Sequence, residues 1–366
     1  MAAERRPSSP PTGVLFVPVS GGAGSGELQR ARMLARGLRQ LDRSLPLSIA
    51  AGGEWREEGV RQWPLPQSPT HCTAEVLAAI RTLRPAVVLF DSTARHAQLK
   101  AARDSGALVV YLSSRASARR RGFRWRVLSC LDAHWSIEAA LDHTLPSWWQ
   151  KQLLRWHSRV AWQSFGVLHE PPAPQAWPAP LAEWIAAHPD FVLYCPGGGG
   201  ARIAGERAAD VYRRAAQAQA ARGRASLLVD GEAAAWQSTG SYACSGPLPN
   251  AALMACVAAA RLAVLNGGSL LLQALALGKA CVGAALMPDQ PARLAALDRR
   301  GAVLKVAPEA AALAAAAERI AAEPALATSL RSAAAGLDLS NGYNRMLAML
   351  QRRAAPLEAT IGVGPP

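Results

Sequence analysis

Three glycine-rich segments stand where a backbone could grip an anion: "SGGAGSGE" (20–27), "PGGGGAR" (196–202) and "NGGS" (266–269). Glycine lets backbone N–H groups come close to a phosphoryl group, and a following helix adds unpaired donors and the positive end of its dipole. Each segment follows an apolar, strand-like run and precedes a helix-like one. None reads GxxxxGK[ST], so the missing lysine excludes a P-loop. None gives GxGxxG with an acid about 20 residues on, which disfavours a nicotinamide site. Two carboxylates lie near the first segment. Glu27 directly follows its glycines, and Asp91 ends the run "AVVLFD" with His96 about one helical turn further on. A carboxylate in such a place serves as a general base if burial raises its pKa. The same residues also read as caps, Asp91 or Ser92 at an N-cap and Glu27 in a first helical turn. No DxD pair is present, so no metal is called for and no cofactor is expected.

The elements that must position these residues alternate. "GVLFVPVS" is a short apolar run of the kind found in strands buried on both faces, and "ELQRARMLARGLRQL" has helical spacing. "LPLSIAAGG", "AVVLFDS" and "ALVVYLSS" read as strands, with "TAEVLAAIRTLRP" as a helix stopped by Pro85. The proline cluster of residues 166–189 reads as a linker. The same grammar then restarts: "FVLYCPGGGG", "ASLLVDG", "RLAVLNGG", "KACVGAAL" and "GAVLKV" as strands, and "ARIAGERAADVYRRAAQAQAARG", "NAALMACVAAA" and "SLLLQALALG" as helices. The Ala-rich stretch 307–354 reads as two or three more helices. Such alternation predicts an α/β protein with parallel sheets covered by helices. The expected division is a leader at 1–12, one Rossmann-like domain at 13–165, the linker at 166–189, a second such domain at 190–355 and a tail at 356–366. In open α/β sheets ligands bind beyond the carboxyl ends of strands, which is where all three glycine segments fall.

Residues 266–290, "NGGSLLLQALALGKACVGAALMPDQ", resemble the donor-binding region of GT-B glycosyltransferases, notably the MurG-type and UDP-glycosyltransferase groups. Gly268-Ser269 opens the helix, Gly278-Lys279 closes it and Pro288-Asp289-Gln290 follows the strand. "YCPGGGGAR" resembles the glycine loop that begins the second domain of MurG-type enzymes, and "GGAGSGELQRARMLA" resembles their first glycine loop. The resemblance is strong over residues 190–305 and looser before residue 165. It implies two Rossmann-like domains facing a central cleft. It further implies metal-independent, inverting transfer of a sugar from a nucleotide diphosphate donor to an acceptor hydroxyl. By this likeness Gly198, Gly199, Gly200 and Arg202, with Asn266, Gly267, Gly268 and Ser269, would hold the diphosphate. Leu248 and Met254 would line the base site, and Gln273 would stand where the family's acid meets the ribose. Asp289 and Gln290 would face the sugar. Gly22, Gly24 and Gly26 would form the acceptor loop, and Asp91, Glu27 or His96 would serve as base. Three positions depart from the pattern: Glu27 replaces a histidine, Gln273 an acid and Arg293 an asparagine. Sugar-nucleotide hydrolases of the PseG type share the motifs, so hydrolysis, or nucleotide-sugar binding without turnover, stays open beside transfer.

Charge and aromatics add a partner class. The formal net charge is +14, which favours an anionic partner, although Arg and Ala enrichment from a GC-rich genome would produce part of the same excess. "SSRASARRRGFRWRVL" (113–128) and "LPSWWQKQLLRW" (145–156) interleave arginine with tryptophan. That pattern fits an anionic membrane surface or a lipid-linked acceptor, a nucleic acid, or an ordinary solvated helix face. No RNA-binding signature favours the nucleic acid. The six cysteines are scattered with no CxxC pair, as expected for buried thiols in a reducing compartment. The first residues carry no secretory h-region and no run is long enough to span a bilayer. The expectation is a cytoplasmic protein, with peripheral contact to the inner face of the membrane as the further possibility.

Overall fold

The computed structural model describes residues 11–19, 26–53, 55–138, 146–198, 200–232 and 235–354. The expected leader, apart from its last two residues, and the tail lie outside the described residues, as do Gly22, Gly24 and Gly199.

The first domain runs β1 (Val14–Pro18), α1 (Gly26–Leu41), β2 (Leu47–Ala51), β3 (Arg61–Pro64), α2 (Thr73–Leu83), β4 (Val87–Asp91), α3 (His96–Asp104), β5 (Leu108–Ser113), α4 (Ala116–Gly122), α5 (Trp125–Leu128), β6 (Ala133–Ser136), α6 (Trp148–Trp156) and β7 (Ala161–Ser164). Its sheet has the order β3-β2-β1-β4-β5-β6-β7, and every pairing is parallel. The central strands β1 and β4 are apolar up to Asp91 at the carboxyl end of β4, because helices cover both faces. Along β4, Val87 and Leu89 join the core on one face while Val88 and Phe90 join the core on the other.

The second domain runs α7 (Ala179–Ala187), β8 (Val192–Cys195), β9 (Arg202–Ile203), β10 (Glu206–Arg207), α8 (Ala208–Ala220), β11 (Ser226–Val229), β12 (Gln237–Thr239), β13 (Tyr242–Ser245), α9 (Asn250–Ala259), β14 (Leu262–Asn266), α10 (Ser269–Ala276), β15 (Ala280–Ala284), α11 (Gln290–Arg299), β16 (Leu304–Val306), α12 (Ala310–Ala322) and α13 (Pro324–Ala335). Its sheet order is β12-β13-β11-β8-β14-β15-β16. All pairings are parallel except the edge strand β12 on β13.

The cores divide the chain differently from the sequence-based boundaries. The segment expected to be linker contains α7, whose Leu181, Trp184 and Ile185 sit at i, i+3 and i+4 in the core of the second domain. The last helix, α14 (Tyr343–Ala354), returns to the first domain. Its Tyr343, Met346, Leu347 and Leu350 pack into that domain's core. There α14 crosses α1 so closely that a Cβ on Gly37 would lie 2.2 Å from the Tyr343 hydroxyl.

The crossing at residues 168–170 is pinned on both sides. The Glu170 carboxylate takes two hydrogen bonds from Arg36 of α1, at 2.8 and 2.9 Å. It also accepts one from the Ala251 amide at 3.2 Å. The Glu170 amide donates to Asn250 at 2.8 Å. Among the described residues no helix is long and apolar enough to cross a membrane.

Candidate active site

Strand order reverses beside β1 and β4 in the first sheet and beside β8 and β14 in the second. These are the topological switch points at which open α/β sheets bind ligands. The segment after β8 and the turn between β14 and α10 are laced together at the second switch point. Asn266 Nδ2 donates to the Pro196 carbonyl at 2.6 Å, and Asn266 Oδ1 accepts from the Gly268 amide at 2.9 Å. Gly197 has φ +100°, and a Cβ there would fall 2.5 Å from Asn266 Nδ2. Glycine is therefore required by both torsion and space. Gly267 lies against α11, where a Cβ would come within 2.9 Å of Gln290 and Leu294. Gly198 and Gly200 expose their backbones, and Ser269 begins α10 half-buried.

Several expected contacts are placed otherwise. Residues 201–223 do not form one helix. Arg202 lies in the short hairpin of β9 and β10, exposed, with its guanidinium bonded to the Gly205 carbonyl at 2.8 Å. The Ala-Gly pair at 204–205 makes the hairpin turn, both residues having positive φ, so Arg202 is not at a helix N-terminus. Met254 is fully buried in the core on α9 and lines no site. Leu248 is half-buried against the same core. The Gln273 amide donates to the Leu168 carbonyl at 2.7 Å and so anchors the crossing, leaving its carbonyl as the free end. Gln290 is buried, and its Oε1 accepts from the Leu286 and Met287 amides at 2.8 and 3.3 Å. Its role is to shape the turn before α11. Asp289 is exposed.

On the facing side, Asp91 is 2% exposed and bound by Arg30 through two hydrogen bonds, at 2.7 and 3.2 Å. Arg30 lies on α1 one turn after Glu27, which puts both on one helical face. Burial pushes the Asp91 carboxyl up, against the opposing pull of the Arg30 charge. Glu27 is also 2% exposed. Its Oε1 accepts from the Ser92 hydroxyl at 3.0 Å and from Arg115 at 3.2 Å, while its Oε2 has no hydrogen-bond partner among the described residues. Glu27 thus occupies the first turn of α1 and also presents a free, buried oxygen. Gly26 is the first residue of α1, with open space where a Cβ would point.

Ser92 holds the two acids together. Its hydroxyl also reaches Asp91, at 3.2 Å. Its φ of +76° is strained for a residue other than glycine. His96 is exposed at the start of α3 and meets the Cys130 sulfur at 3.6 Å, and the structure shows no contact between it and Asp91.

Two arginines that sequence reasoning did not assign join the halves. Arg115, after β5, contacts Glu27 and lies 3.5 Å from Asp289 of the second domain. Arg293 of α11 donates to the Gly267 carbonyl at 3.1 Å and reaches Glu138 of the first domain at 3.4 Å. Glu138 is itself at positive φ, +57°. Arg119 is buried close by. Burial and then the Arg293 charge lower its pKa to about 10. Arg115, Arg119 and Arg293 concentrate positive charge where the domains meet. The early signs of this were the arginine density of residues 113–128 and Arg293 standing where the resemblance expects an asparagine. Among the described residues no three His, Cys, Asp or Glu side chains gather as metal ligands would.

Comparison with known proteins adds the fold. No protein-family model matches the chain, and no curated protein sequence does. Solved structures match along nearly the whole length. The Arabidopsis thaliana protein UGT89C1, in complex with UDP-L-rhamnose, superposes with a TM-score of 0.63 at 13% identity, covering 94% of this chain and 100% of its own. The glycosyltransferase SnogD from Streptomyces nogalater gives 0.60 at 19% identity, with coverage of 94% and 100%. The S. aureus MnaA–UDP structure gives 0.56 at 11% identity, with 91% and 92% covered. The chain has the GT-B fold: two Rossmann-like domains facing a cleft.

Proposed function

We propose that the protein transfers a sugar from a nucleotide diphosphate donor, held by the second domain, to an acceptor held by the first. One observation carries this reading. Two glycine-bearing loops are laced together at the switch point of the second sheet, and cross-cleft Arg115 and Arg293 link that side to the buried carboxylates of Glu27 and Glu138. The backbone amides at Gly198, Gly200, Gly267 and Gly268, with the first turn of α10, would hold the diphosphate. Arg115 and Arg293 would exchange their carboxylate partners for phosphoryl oxygens, offsetting the charge of the leaving group without a metal. Glu27 would take the acceptor proton through its free Oε2. Asp91, engaged by Arg30, would hold α1 and Ser92 in place. Structural neighbours whose names include UDP or UDP-sugars support this choice of ligand class.

Isothermal titration with UDP, GDP and dTDP tests the donor assignment. At least one should bind, and silence from all three would remove the basis for the proposal. Hydrolysis of the donor is the second reading, because the free Glu27 oxygen could activate water as readily as a hydroxyl. Release of free sugar at an undiminished rate without acceptor would favour it. The α6 helix buries none of its residues, and Trp148, Trp149 and Trp156 are 61%, 66% and 65% exposed beside Lys151 and Arg155. This face is suited to lie on an anionic membrane surface.

A further inference from the structure

A cavity of about 340 Å³ opens on the first domain, its lining including Thr70, Thr93, Arg95, Tyr111, Arg121 and Arg124. It holds three guanidinium groups and no acid. Arg95 is oriented by its Nε–H bond to the Thr70 carbonyl at 2.9 Å, which leaves its terminal nitrogens for the cavity. Arg121 is half-buried and its Nε has no partner. Arg124 is exposed, and among the described residues its side chain makes no hydrogen bond or ion pair. Three cations with so few partners repel one another across a shared space, an arrangement that an anion would relieve.

The cavity adjoins the acid cluster through one residue. The Ser92 hydroxyl contacts Glu27 and Asp91, while the Ser92 carbonyl accepts from Tyr111 Oη at 2.9 Å and from Arg121 at 3.5 Å.

We infer that this cavity binds a phosphoryl group carried by the acceptor. Three forks around one space match the three terminal oxygens of a phosphomonoester, whereas a carboxylate would satisfy one fork. Thr70 and Thr93 add hydroxyl donors at the rim. The volume leaves room for part of the carrier next to the phosphate, and the carrier's hydroxyl would extend past Ser92 toward Glu27. The inference rests on reading the first domain as the acceptor side.

The test titrates inorganic phosphate, glycerol 3-phosphate and UDP into the wild type, Arg124→Gln and Arg121→Gln/Arg124→Gln, at constant ionic strength. Arg124→Gln alters an exposed side chain and keeps the test valid if the double variant folds poorly. Inorganic phosphate should bind the wild type even when UDP is saturating. Its affinity should fall about tenfold or more in the double variant and by a smaller factor in Arg124→Gln, with UDP affinity unchanged. Dihexanoyl phosphatidic acid, compared with glycerol 3-phosphate, separates the sources. Tighter binding of the lipid assigns a lipid phosphate, and equal affinity a water-soluble one. Equal phosphate affinity in wild type and variants, or phosphate binding abolished by UDP, would overturn the inference. Failure of UDP to bind while phosphate still distinguishes the variants would instead remove the donor reading and leave the cavity assignment intact.

Discussion

Replacing the two buried carboxylates separately should divide stability from catalysis. In Asp91→Asn, Arg30 keeps its buried position, 8% exposed, and loses the charge that takes both of its hydrogen bonds. Breaking one side of such a pair costs about 3–5 kcal/mol, whereas replacing both members with apolar residues of similar volume is close to neutral. Asp91→Asn should therefore shift the urea midpoint strongly, and Arg30→Met/Asp91→Leu should recover most of the loss. Glu27→Gln keeps an acceptor oxygen for Ser92 and Arg115, and the Arg115 pair is half-exposed on its cationic side. Its cost should be about 1 kcal/mol. The rates should rank in the opposite order. Loss of a general base lowers turnover about 10²–10⁴-fold, so Glu27→Gln should fall within that range in a coupled assay of nucleoside diphosphate release. The folded Arg30→Met/Asp91→Leu variant should retain measurable turnover. If Glu27→Gln turns over at the wild-type rate while the double variant is folded and inert, the assignment of the base to Glu27 is wrong and Asp91 takes its place.

Burial lowers the pKa of His134 to about 3. The folded state thus binds its proton less readily than the unfolded chain, and the stability contributed by neutral His134 is complete above about pH 6.5 and lost as pH falls toward 3. Between pH 7 and pH 5 that loss is about 2 kcal/mol, and urea unfolding of His134→Phe should show a pH dependence weaker by that amount. Arg293→Ala leaves Glu138, 8% exposed, without its partner across the cleft. Nucleoside diphosphate affinity should weaken about tenfold or more, and an unchanged affinity would show that Arg293 does not face the diphosphate. Liposome sedimentation should recover the wild type with acidic vesicles at low salt, and Trp148→Ser/Trp149→Ser should reduce that recovery. Equal recovery of both would contradict membrane contact through α6.

The parts of the fold that were legible in the sequence are those with a continuous apolar signal. β1, β4, β8 and β14 are covered on both faces, so "VLFV" and "LAVL" carry no polar interruption, and the glycine turns after β8 and β14 mark where the chain must bend. Edge and polar strands were not legible. β3 reads "RQWP" and β7 "AWQS", both partly exposed, and they hold their place through pairing with a neighbour rather than through hydrophobicity. The destination of α14 was equally hidden, because an amphipathic stripe does not say which sheet it will meet. At the site, the glycine segments were readable, but the position that torsion and close approach demand is Gly197, one residue before those given the contact role. The polar side chains were not readable. Gln273, Gln290 and Asn266 look like ligand contacts by position, and the chain uses their amides to bind its own carbonyls and N–H groups. Arg115 and Arg293 gain their meaning only from acids far away in sequence.

The central claim is that the loops at 196–200 and 266–269 cradle a diphosphate across the cleft from Glu27. A crystal structure of the protein with UDP tests it most directly. The diphosphate should lie about 3 Å from the amides of Gly267 and Gly268, at the N-terminus of α10, with Arg115 or Arg293 turned from its carboxylate toward a phosphoryl oxygen. Ordered UDP bound elsewhere, or those amides facing only solvent in a crystal saturated with nucleotide, would contradict the account.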